Sequence, residues 1–121
     1  MPRTREKRKS RRIQPFVAPC RVVHRKRRVS GHLIDLSPRG ARIASEESLP
    51  KAGSKVVVEA RLGSTTATFT LLPGEIKWVR AARRPLKGEI CGVTFKGLSG
   101  SQQIALEFVL YDFRRRAAQL S

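Results

Sequence analysis

The sequence predicts an all-β fold: about six short strands in a small barrel or sandwich, followed by one C-terminal α-helix. Three observations carry this. Short runs rich in Val, Ile and Thr recur at close spacing between residues 16 and 95. Gly, Pro and Ser punctuate them. Helical periodicity is confined to residues 99–116. Many short strands without intervening helices point to a barrel or sandwich rather than to βαβ units.

Residues 1–12 hold no hydrophobic residue after Met1 and carry a dense positive run. Such a segment cannot bury enough surface to offset its ordering entropy, so a disordered basic tail is expected there. The barrel is expected over 13–98 and the helix with its tail over 99–121. Phe16 to Val23 reads as the first strand, and His24 to Arg28 as a basic turn. Val29 to Leu36 is the second strand, with Leu33-Ile34 breaking its alternation. Ser37-Pro38-Arg39-Gly40 has the residues of a type I turn, and Ala41 to Ala44 restarts the chain as a short strand. Lys55 to Leu62 reads as a strand, and Gly63-Ser64 as a turn into Thr65 to Leu72. Pro73-Gly74 is expected to interrupt that run before Glu75 to Arg80, with Ile76, Trp78 and Arg80 on one face. Glu89 to Phe95 is the last strand. Ser99-Gly100-Ser101-Gln102 fits a capping box, with Ser99 as N-cap. Ile104, Phe108 and Tyr111 recur at helical spacing, and Leu106, Val109 and Phe113 are expected to widen the same apolar face.

A length of 121 residues suits one domain with one core. No run approaches the ~20 apolar residues of a membrane-spanning helix, and the basic start is followed by no apolar stretch of signal-peptide length. A cytoplasmic protein is expected. Cys20 and Cys91 fall inside predicted strands and read as small buried hydrophobes rather than as a metal site or a disulfide framework. His24 and His32 have no carboxylate at a motif spacing, and no nucleophile elbow, phosphate-cradling glycine loop or metal box is present. The sequence therefore points away from an enzyme.

Charge is the dominant feature of the composition, with 26 Lys and Arg against nine acids for a formal +17. Residues 1–42 alone hold fourteen of the bases and two of the acids. Such a field recruits anions without choosing among them. Choice requires shaped chemistry, and two segments offer it. Arg8 and Arg12 stand four apart before the first strand. Asp35 and Ser37 stand two apart, so in an extended chain they face the same side. An arginine fork matches the O6 and N7 edge of guanine, while a carboxylate accepts from its N1–H and amino group. Phosphates suit arginine forks and backbone N–H groups.

Arg8-x-x-x-Arg12 followed by Asp35-x-Ser37-x-x-Gly40 resembles the two-part signature of PilZ domains, bacterial receptors for the second messenger cyclic di-GMP. Gly40-Ala41-Arg42-Ile43, Gly74-Glu75-Ile76-Lys77-Trp78-Val79 and Gly92-Val93-Thr94-Phe95 resemble later strands of that domain, so the likeness spans roughly residues 5–113. The resemblance implies a small six-stranded antiparallel barrel whose N-terminal segment folds over the ligand. It places Lys7, Arg8, Arg12, Asp35, Ser37, Arg39 and Gly40 at a cyclic di-GMP site, with Gly40 permitting the turn. Lys7, directly before the first arginine, implies a stacked pair of ligands. No catalytic or metal-binding residue and no further cofactor is implied. The effector would signal to a downstream protein partner, and the apolar face of helix 99–116 offers a route to a homo-oligomer.

Two other readings compete. A basic small barrel could bind nucleic acid directly through its tail and loop 80–87, although only 6% of residues are aromatic and few are free to stack on bases. A ribosome-like structural protein fits the charge but leaves the Asp35–Gly40 loop without a role. For Asp35 and Ser37 themselves, ordinary turn hydrogen bonding is the alternative. Trp78 is expected in the core or barrel lining more than against a base.

Overall fold

A computed structural model describes residues 18–61, 69–83 and 87–119. Six strands form a closed antiparallel barrel in the order β1-β2-β3-β6-β5-β4. They are β1 (Ala18–His24), β2 (Arg27–Leu36), β3 (Gly40–Ser45), β4 (Lys55–Arg61), β5 (Phe69–Ala81) and β6 (Glu89–Phe95), followed by the helix α1 (Gly100–Gln119). The expected all-β barrel with a C-terminal helix is what the chain forms. The expected turn at Gly63-Ser64 lies outside the described residues. No helix among the described residues is long and apolar enough to cross a membrane.

Alternation builds the core. Val22, Val29, Ile43, Val58, Leu72, Ile76 and Cys91 are fully buried, each on the inward face of its strand. Closure pairs β1 with β4 as well as with β2, so the barrel has no open edge.

Three local features differ from the sequence expectation. Pro73-Gly74 does not interrupt β5, which runs through both residues. Within a strand the N and O of one residue point to the same side, and the Pro73 carbonyl accepts from Lys96 N just beyond the end of β6. The missing N–H therefore falls where no ladder bond is required. Next, Ile76, Trp78 and Arg80 do not share a face. Ile76 pairs with Val93 and Trp78 with Gly92, leaving Lys77 as a bulged extra residue. The bulge resets the pleat: Ile76 points inward, Trp78 points outward, and Val79 joins the core opposite Cys91. Trp78 is thus an outer-face residue and not barrel lining. A second bulge at Ile34 explains the broken alternation of β2, since Leu33 pairs with Ile43 and Asp35 with Arg42.

The helix starts as its capping box predicts. Ser99 N donates to Gln102 Oε1 at 2.8 Å, and Gln102 N donates to Ser99 Oγ at 3.1 Å. Its apolar residues do not form the single broad face expected. Leu106, Val109 and Leu110, with Phe113 partly buried beside them, dock against the barrel near β5. Ile104, Phe108 and Tyr111 form a separate stripe facing solvent, 59%, 62% and 68% exposed.

The β1–β2 hairpin turns on Arg25 and Lys26, and Arg25 adopts φ 59°. That conformation costs a non-glycine residue about 1 kcal/mol, and it is the only such case among the described residues.

Cys20 and Cys91 are both buried free thiols. Burial, and secondarily the neighbouring Cys91, pushes Cys20 up to about 12. Burial and then Glu89 push Cys91 up to about 11. Both are protonated at neutral pH, and a thiolate is the reactive form. A thiol reagent at pH 8 should leave both unmodified in the folded chain and modify two per chain once denaturant unfolds the barrel. Rapid labelling of the native protein would contradict this packing.

Candidate functional site

An open groove of about 270 Å³ crosses the outer faces of β2, β3, β6 and β5. Asp35, Ser37, Gly40, Arg42, Lys77 and Trp78 are in its wall. The two bulges create it. The extra residue at Ile34 turns Asp35 outward beside Arg42, and the extra residue at Lys77 turns Trp78 outward over Gly92. Without either bulge, the strict pleat would send one of these side chains towards the core.

Glycine makes room at two adjacent places. A Cβ on Gly40 would overlap the Val93 carbonyl, and one on Gly92 would overlap the Trp78 indole. Gly40 does not have a positive φ. It is needed for the close approach of β3 to β6 where the turn ends. Trp78 lies over Gly92, with the Arg80 guanidinium carbon 4.9 Å from its ring centroid. The groove thus has an indole at one end and a carboxylate at the other.

The loop between β2 and β3 is held by Ser37. Its Oγ accepts from Gly40 N at 3.2 Å and from Arg39 N at 3.3 Å, and donates to Gly40 O at 3.3 Å. The side-chain oxygen takes the Gly40 N–H that a type I turn would give to the Ser37 carbonyl, the turn chemistry serine commonly supplies. Asp35 Oδ1 accepts from Leu36 N at 2.9 Å, and its Oδ2 stands 3.4 Å from Arg42 Nε. Both side chains of that pair are about half exposed, which limits it to about 1 kcal/mol at most. On the β5 side, Glu75 holds Lys96 at 2.9 Å and Lys77 at 3.9 Å. The Lys96 hydrogen bond, and then the charges of Lys77 and Lys96, lower the Glu75 carboxyl below its ordinary value.

The structure thus brings Asp35, Ser37 and Gly40 into one groove. Arg39 projects to solvent next to it, and its carbonyl ties the loop to Phe95 N at 2.8 Å. Lys7, Arg8 and Arg12 lie outside the described residues. Arg42, Lys77 and Gly92 were not foreseen as wall residues. The Leu33-Ile34 pair carried a signal of the first bulge, since two consecutive apolar residues break a half-buried strand. The bulge at Lys77 left no such mark, because either pleat of Ile76-Lys77-Trp78-Val79 looks amphipathic. Among the described residues, no cluster of His, Cys, Asp and Glu could hold a metal ion.

A family model described as the PilZ domain matches residues 6–112. No curated protein sequence matches the chain. Among solved structures, the chain is similar to the PilZ domain of CeSA from a cellulose-synthesising bacterium, at 19% identity and a TM-score of 0.60, covering 83% of this chain and 95% of that one. It is similar to the PilZ domain of YcgR from Escherichia coli, solved with c-di-GMP, at 15% identity and a TM-score of 0.68, covering 88% of each chain. A tetrameric PilZ protein of Xanthomonas campestris, self-assembled through a helical bundle, matches at 22% identity and a TM-score of 0.55, over 77% of this chain and 49% of that one. At such identities the likeness is one of fold. With the family model spanning nearly the whole chain and the barrel built as these relatives build it, the protein belongs to the PilZ domain family.

Proposed function

We propose that this chain is a cyclic di-GMP receptor that acts by binding rather than catalysis. The observation that supports it best is the groove in which Asp35 and Arg42 face Trp78 across a floor opened by Gly40 and Gly92. A carboxylate suits the donor edge of guanine, an arginine suits its acceptor edge or a phosphate, and an indole suits its face. The relative from Escherichia coli was solved with this ligand on the same fold.

In this reading residues 1–12 are a switch segment. Arg8 and Arg12 close over ligand held at the Asp35–Gly40 loop, with Arg39 at its edge. Fixing the tail costs about 1–2 kcal/mol of backbone entropy per residue, and the charge-assisted arginine contacts must exceed that cost. The surface made by tail and ligand is the signal passed to a protein partner. Lys7 favours a stacked pair of ligands.

Helix α1 supports a further step, self-association. Its stripe of Ile104, Phe108 and Tyr111 is exposed although the helix already docks through other residues. The Xanthomonas campestris relative assembles through a helical bundle, and an exposed stripe at i, i+4, i+7 suits such packing.

Calorimetry with cyclic di-GMP tests the central reading. The wild type should bind at micromolar concentrations with two ligands per chain. Asp35→Ala should lose about 2 kcal/mol, roughly thirtyfold in affinity, and Arg12→Ala a similar amount. No heat from the wild type would refute the assignment, and one ligand per chain would reject the role given to Lys7.

Trp78 is the only tryptophan, so its emission reports on the groove. Ligand should shift that emission. Gly92→Ala, which displaces the indole, should shift the emission of the free protein to the red and weaken binding while the barrel's circular dichroism persists. An emission that ligand leaves unchanged would remove Trp78 from the site.

Sedimentation tests the helix. The wild type should sediment as an oligomer at tens of micromolar, and Phe108→Glu as a monomer with unaltered ligand binding. A monomeric wild type would end the self-association proposal.

A further inference from the structure

The barrel has a second end, away from the 37–39 loop by the full length of β2, roughly 30 Å at strand rise. Three connections meet there. The hairpin turn at Arg25-Lys26 joins β1 to β2. The Arg27 guanidinium donates to the Ser48 carbonyl, pinning segment 46–54 beside that turn. Ser45 pairs with Glu89 and Gly88 lies against the Ser45 carbonyl, which brings the β5–β6 connection alongside.

This end is cationic and its cations are uncommitted. Arg25, Lys26, Arg28, Lys51, Arg83 and Lys87 are exposed, and none forms an ion pair among the described residues. The acids nearby are Glu46, Glu47, Glu89 and, lining one pocket with Arg25, Glu75. The Glu89 carboxylate already accepts from Leu49 N at 2.8 Å, and Glu75 already holds Lys96 and Lys77.

The hairpin tip adds an independent observation. Its first turn residue has the positive φ of a type II′ turn, a position glycine fills without strain. The chain places Arg25 there, followed by Lys26. A local rule broken with no packing gain marks a position kept for another purpose.

We infer that this end binds the phosphodiester backbone of double-stranded nucleic acid, independently of the groove and of the basic tail. The surface chemistry selects this partner class. A protein interface needs an apolar core, and among the described residues none of the exposed large hydrophobics, Ile34, Leu71, Ile104, Phe108 and Tyr111, lies in these connections. Single-stranded nucleic acid needs aromatic platforms, and Trp78 and Tyr111 both lie elsewhere. Arginine forks and lysine point charges without either feature suit the regular phosphates of a duplex, read without sequence.

The test is fluorescence anisotropy of a labelled 20-base-pair duplex with the full chain between 50 and 200 mM salt. The key variant is Arg25→Gly/Lys26→Ser, which removes two cations and installs residues the turn prefers. Its melting temperature should stay level or rise, so lost binding cannot reflect unfolding. Its affinity for the duplex should fall at least about tenfold at 50 mM salt, and its log–log salt slope should shrink by about 1.8, at 0.9 per phosphate contact. Its calorimetric response to cyclic di-GMP should match the wild type, which keeps this inference separate from the groove. Wild-type affinity and slope in the variant would overturn the proposal. So would tighter binding of a single-stranded 20-mer, or equal binding of a labelled polyglutamate peptide, which would make the partner an acidic protein.

Discussion

A six-stranded barrel that fills its interior with Val22, Val29, Ile43, Val58, Leu72, Ile76 and Cys91 leaves ligand chemistry to its outer face and its ends. That constraint sets the rest of the design. On an unbroken pleat, every second residue is committed to the core. Placing chosen side chains together outside then requires the pleat to be reset, and the chain does so once on each flank of the groove. The bulge at Ile34 turns out Asp35, and the bulge at Lys77 turns out Trp78. Gly40 and Gly92 complete the effect from the middle strands, Gly40 by letting β3 approach β6 and Gly92 by leaving room for the Trp78 indole.

The barrel and the helix were legible because they rest on local patterns. Val29-x-x-x-Leu33 and Ala41-x-Ile43 alternate as strands do, and Ser99 with Gln102 marks the helix start by chemistry alone. What was not legible depended on pairing. Pro73 reads as a breaker until β6 is seen to end beside it, and Trp78 reads as a partner of Ile76 until Gly92 is seen to sit opposite it. Likewise, the helix carries seven large apolar residues whose spacing allows one wide face. Only docking on the barrel separates Leu106, Val109, Leu110 and Phe113 from Ile104, Phe108 and Tyr111. The Asp35–Gly40 loop stood out as a motif, but Arg42, Lys77 and Gly92 join it across three strands and have no sequence signature.

Charge and shape divide the work differently from what the composition implied. A formal +17 looks like one undifferentiated field. In the fold, the groove pairs its wall cations, Arg42 with Asp35 and Lys77 with Glu75, which also holds Lys96. Among the described residues, the exposed Arg25, Lys26, Arg28, Lys51, Arg83 and Lys87 of the opposite end form no ion pair. A paired site holds its side chains in defined places before a ligand arrives, whereas unpaired cations act through a longer-range field that salt weakens.

The hydrogen bonds of the loop also separate two residues that the motif presents as equals. Ser37 Oγ accepts two backbone N–H groups and donates to a carbonyl, which uses its single proton and both lone pairs. Releasing it would open the loop, so on the proposed reading its part is to hold the backbone in place. Asp35 keeps Oδ2 in a half-exposed pair with Arg42 at 3.4 Å. Such a pair contributes about 1 kcal/mol at most, so a ligand that offers a donor edge to Asp35 and an acceptor to Arg42 replaces it at little cost. The carboxylate is therefore the exchangeable half of the motif and the hydroxyl the fixed half. Ligand specificity should follow Asp35, while loop geometry follows Ser37.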